Sequence, residues 1–156
     1  MELDPTVTNI LLGVLIFGLL IFNIYAKKRK SDKSPIGMAA GIFSDVNKNL
    51  KLLENFSFHW RIGKLKSGNW QRNKNKIDFL PVELRSTLSK TFDLVGEVNQ
   101  RVEAAQKYKS DSYMAGIDID KLKEPLTWSK ERLQEWIQDN YQNPEYMPKK
   151  RRGLFG

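Results

Sequence analysis

Few side chains in this sequence could do chemistry. Asp118 and Asp120 stand two apart, with Glu124 one helical turn further on. A calcium loop would add a ladder of oxygen ligands, a glycine at its sixth position and a closing glutamate, and these are missing. The aspartates suit helix capping better, where a short carboxylate accepts from the free backbone N–H groups of a first turn. His59 is the single histidine among 156 residues and lies between Phe58 and Trp60, so it reads as a packed or interfacial ring. There is no cysteine. Disulfides, a thiol nucleophile, iron–sulfur clusters and cysteine-based zinc sites are thereby excluded, and one histidine excludes a multi-histidine metal centre within the chain. No GxxxxGK[ST] loop, GxGxxG turn, HExxH helix or GxSxG elbow occurs. The expectation is a protein that is not an enzyme, with no catalytic residue, cofactor or metal site.

The chain does carry cations interleaved with aromatic rings. Its 26 Lys and Arg outnumber 18 Asp and Glu, for a formal charge of +8, and the excess falls in three islands. Lys27, Lys28, Arg29 and Lys30 form the first. The second is 56–77, where Arg61, Lys64, Lys66, Arg72, Lys74 and Lys76 occur with no acid and alternate with Phe56, Phe58, Trp60 and Trp70. Lys149, Lys150, Arg151 and Arg152 form the third. Residues 78–148 between the last two islands are mildly acidic, at −4. Cations beside rings suit anionic lipid headgroups, and they also suit nucleic acid, whose phosphates they neutralise and whose bases the rings stack on. A third reading makes the rings core and the cations merely its solvated cover. Trp60, Trp70, Trp128 and Trp136 are the aromatic candidates for contact with a protein partner, although some must be core.

What would position these islands is a membrane segment. Ile10 to Phe22 is an unbroken apolar run, and Val7 to Ala26 makes 20 residues without a charge. At 1.5 Å per residue this is roughly 30 Å, the thickness of a bilayer's hydrocarbon core. A cleaved signal peptide fits less well: Glu2 and Asp4 precede the run, and Ile24, Tyr25 and Ala26 lead directly into Lys27. All Lys and Arg follow the segment, so the N-terminus is expected outside and the rest in the cytoplasm, oriented by Lys27–Lys30.

Beyond the segment the apolar residues keep helical spacing. Ala39, Ile42, Val46, Leu50 and Leu53 predict a helix over roughly 38–55, after a hinge at Pro35-Ile36-Gly37. Leu84, Leu88, Phe92, Val95, Val98, Val102, Ala105 and Tyr108 predict one over 82–109, with Pro81 at its first position. Leu122, Leu126, Leu133, Trp136 or Ile137, and Tyr141 predict one over 119–141, capped by Asp118 or Asp120, with Pro125 either kinking it or sitting in its opening turn. Residues 56–77 are ambiguous. Phe56, Phe58, Trp60 and Ile62 alternate as in a strand, yet Leu53, Phe56 and Trp60 have helical spacing. Helix or irregular structure is favoured, because a lone hairpin is marginal.

The expected protein is all-α: a single N-terminal transmembrane helix and a small cytoplasmic bundle of about three helices, with a long antiparallel pair. Its segments are an outer N-terminus (1–6), the span (7–26), a basic linker (27–37), the helical domain (38–141) and a basic tail (142–156). The expected function is that of a single-pass interaction or scaffold module in the cell membrane. It would be an accessory subunit that docks a protein partner while its basic islands press on anionic lipid. The alternative is a membrane-anchored nucleic-acid binder using 56–77. Self-association is left open.

Overall fold

The computed structural model describes residues 33–148, together with Gly18 and Leu19. Among these residues all regular structure is helical: α1 (Pro35–Glu54), α2 (Gly68–Asn73), α3 (Val82–Tyr108), a 3-10 turn (Asp111–Met114) and α4 (Ile119–Asn140). No helix among the described residues is long and apolar enough to cross a membrane. The expected span, 7–26, lies outside the described residues except for Gly18 and Leu19.

The helix ends follow from local chemistry. Pro35 occupies the opening turn of α1, where a missing N–H costs nothing, and the Ser34 hydroxyl accepts from the Gly37 N–H at 3.1 Å. The helix therefore starts earlier than the spacing indicated, and Pro35-Ile36-Gly37 is its first turn, not a hinge. Asp118 caps α4 by accepting from the Lys121 N–H at 3.1 Å. Pro125 lies inside α4, beyond the opening turn. α3 ends where Lys109 takes the left-handed conformation, with φ of 48°.

Packing places α4 between the other two long helices, against both α1 and α3. It runs antiparallel to each. Its first turn lies beside Arg101, which donates to the Ala115 carbonyl near the end of α3. Beyond its far end, Tyr146 accepts from the Ile36 N–H at the start of α1, at 3.2 Å. The core is the stripe that the spacing predicted, with Ile42, Val46, Leu88, Val95, Val102, Leu122, Leu126 and Leu133 almost wholly buried. Ile137 is buried and Trp136 only half-buried, whereas Tyr108 is exposed. α1 is buried throughout from Ile36 to Val46. At Gly41 an added Cβ would stand 3.0 Å from the Asn69 side chain, so glycine admits the close approach of α2 to α1.

Ser129 is fully buried on α4 and its hydroxyl has no hydrogen-bond partner among the described residues. Ser129→Ala is therefore expected to stabilise the protein by about 1 kcal/mol, since it removes an unmet polar group. The measurement is the urea midpoint of the full chain, which should rise with unchanged slope. A fall would mean that the hydroxyl is bonded.

Candidate functional site

Because α1 and α3 run parallel, the chain between them must return along the bundle. Residues 55–81 do so as a strap in the groove between the two helices. Its middle, 61–66, is irregular and pairs with no strand; its next part is the short helix α2. Side chains replace the missing strand partners. Asn49, fully buried on α1, donates to the Lys66 carbonyl at 2.7 Å and accepts from the Lys66 N–H at 2.6 Å. Asn99 on α3 treats Leu65 alike, accepting at 2.7 Å and donating at 3.0 Å. A carboxamide offers the same donor and acceptor as a peptide group, so each asparagine satisfies one residue of extended backbone. Gln106 holds the Ile62 carbonyl at 2.8 Å. Asp45, buried on α1, accepts from the Asn69 and Trp70 N–H groups at 2.7 and 3.1 Å and from the Asn69 amide at 2.8 Å.

These four holding residues escaped the sequence reading. Their signal was there: Asp45 and Asn49 continue the stripe of Ile42, and Asn99 and Gln106 follow Phe92 at seven-residue steps. Short polar side chains on an apolar stripe imply a backbone to be held.

The strap lays out the basic–aromatic segment from one end of the bundle to the other. Arg61, Lys64, Lys66, Arg72, Lys74 and Lys76 are all exposed. Lys64 pairs with Glu103 at 3.1 Å, Arg72 donates to the Asn69 side chain at 2.8 Å, and Arg61 lies over the Trp60 ring, 4.8 Å from its centroid. Lys66, Lys74 and Lys76 form no ion pair among the described residues. The four tryptophans separate. Trp70 is a core residue, buried and stacked on Phe92 with centroids 4.9 Å apart. Trp60, Trp128 and Trp136 are half-buried, packed on the core's edge. Arg132 covers the outer side of Trp128 at 5.6 Å. Lys27–Lys30 and Lys149–Arg152 lie outside the described residues.

Two poles result. At the entry pole α1 begins, α3 begins and α4 ends. Phe79, Trp136 and Tyr146 cluster there with ring centroids 5.1 to 6.3 Å apart, and Val82 and Met147 are exposed beside them. At the far pole, Phe56 meets Phe58 edge-on at 5.2 Å and Tyr108 stacks on Tyr113 at 5.3 Å. The Trp60 N–H donates to Asp111 at 2.7 Å, which fastens the strap to the turn beyond α3. Phe58, Tyr108 and Tyr113 are exposed, and an open groove is lined by Leu53, Phe56, Phe58, Ile117 and Ile119 together with Asp118 and Asp120. The 27 residues of α3 separate the poles by roughly 40 Å.

Among the described residues, no three His, Asp or Glu side chains gather closely enough to hold a metal ion. Compared with protein-family models, curated proteins and solved structures, the chain matches none.

Proposed function

We propose that this protein is a single-pass membrane-anchored interaction module, an accessory subunit whose helical domain is held at the cytoplasmic face. The anchor is the uncharged 20-residue segment 7–26, with its apolar run from Ile10 to Phe22, oriented by Lys27–Lys30. The observation that carries the reading is the polarity of the bundle. The chain enters at Ser34 and leaves after Tyr146 at one pole, fastened together by the Ile36–Tyr146 hydrogen bond, while exposed rings gather at the other. Residues 27–33 reach at most about 25 Å, which holds the entry pole near the bilayer and turns the rings of the far pole toward the cytoplasm. Tethering supplies the mechanism, because confinement raises the local concentration of whatever docks there.

The test is purification of the full-length protein from its membrane in mild detergent, followed by identification of what stays bound in stoichiometric amount. A Phe58→Ala/Tyr113→Ala variant is expected to lose that companion about tenfold, a difference of about 1.4 kcal/mol. Val82→Ser at the other pole should keep it. A companion retained by both variants, or none at all, contradicts the reading.

A second reading, nucleic acid lying along the strap, is supported by the six exposed cations from Arg61 to Lys76. It requires retained RNA or DNA whose affinity falls steeply with salt. No nucleic acid retained at moderate salt excludes it.

A further inference from the structure

The entry pole combines two features that membrane interfaces select together. Val82 is 71% exposed and Met147 43%, both unusually open for large apolar side chains. They belong to one surface: Val82 follows Phe79 by three residues, Met147 adjoins Tyr146, and the Phe79 and Tyr146 rings are 6.3 Å apart. Lys74 and Lys76, exposed and outside any ion pair among the described residues, lie in the segment leading into Val82. Asp78 is paired with Arg85 at 2.7 Å; Glu83, Asp139 and Glu145 are the exposed acids at this end. The chain that continues from Met147 adds Lys149, Lys150, Arg151 and Arg152, and the chain that precedes Ser34 adds Lys27–Lys30 and Lys33. The described residues that adjoin the first and third basic islands in sequence, Ser34 and Met147, thus stand at the same end of the domain, joined by the bond between Ile36 and Tyr146.

We infer that the entry pole is a lipid-docking surface, in which Val82 and Met147 enter the interface of an anionic bilayer while Lys74 and Lys76 meet its headgroups. This rests on the proposed anchoring by 7–26 and adds to it: the domain is seated on the membrane at a fixed pole, not swinging from a linker. Apolar insertion and attraction to anionic lipid act together in such surfaces, so neither should suffice alone.

The absence of native cysteine makes the test direct. Full-length Val82→Cys, Met147→Cys and Tyr113→Cys are each labelled with the environment-sensitive dye NBD. They are then reconstituted into phosphatidylcholine vesicles with or without phosphatidylserine, containing lipids brominated on their acyl chains. Labels at 82 and 147 are expected to be quenched several-fold more with phosphatidylserine than without, and the label at 113 in neither case. If 82 and 147 are quenched no more than 113 while the protein resists alkaline extraction, the docking surface is refuted and the anchor stands. If alkali extracts the protein, the anchor fails and this inference falls with it.

Discussion

Asp45→Ala is expected to destabilise the domain by about 3–4 kcal/mol. The carboxylate is buried, and its removal strands three donors: two backbone N–H groups of α2 and the Asn69 amide. Bonds to a charged acceptor are each worth about 1.5–3 kcal/mol, and a buried donor left unmet costs about 1–3 kcal/mol. The three act as a unit, so the loss is less than their sum. α2 has six residues, and the residue before it, Ser67, supplies no side-chain cap. So short a helix does not persist alone, and Asp45 caps it from a neighbouring helix. Asp45→Asn keeps one acceptor and should cost about half as much. Urea unfolding of the full chain in detergent checks this. A loss below about 1 kcal/mol for Asp45→Ala would show that the strap is held some other way.

Trp70→Ala is the second large effect, at about 3–5 kcal/mol. The ring is 5% exposed and stacks nearly parallel to Phe92, at an interplanar angle of 7°. Its loss opens a cavity between α3 and the strap and removes a stacked aromatic pair. Trp60→Ala and Trp128→Ala, at half-buried positions, should each cost about 1 kcal/mol. The contrast bears on function. Partner binding lost with Trp70→Ala reports unfolding, whereas binding lost with Phe58→Ala at full stability reports contact. Melting temperatures measured beside each binding assay separate the two; equal losses for Trp70 and Trp128 would contradict the packing described.

The long helices were legible in the sequence because their apolar stripes run for many turns. Leu84 to Ala105 predicted the buried face of α3 residue by residue, and Leu122, Leu126 and Leu133 did so for α4. The spacing puts the start of α1 late, since Pro35 and Gly37 read as a break, whereas the Ser34 cap makes them its first turn. Residues 56–77 could not be settled from periodicity, because their backbone is satisfied by side chains distant in sequence: Asn49, Asn99, Gln106 and Asp45. The same distance hid the polarity. Nothing local in Tyr146 says that it bonds Ile36, yet that contact brings both chain ends to one pole. Composition alone made one basic–aromatic island of Phe56 to Lys76, while the fold sends its rings Phe56, Phe58 and Trp60 to the far pole and its Lys74 and Lys76 toward the entry pole.

In the proposed topology the domain hangs from a bilayer by residues 7–26 with its far pole in the cytoplasm. The direct measurement is labelling of full-length Leu3→Cys and Ser57→Cys in intact cells with a membrane-impermeant thiol reagent, before and after permeabilisation. The account predicts that position 3 reacts from outside at once and position 57 only after permeabilisation, with both variants resisting alkaline extraction. Reaction of position 57 in intact cells, or release of the protein by alkali, would contradict it.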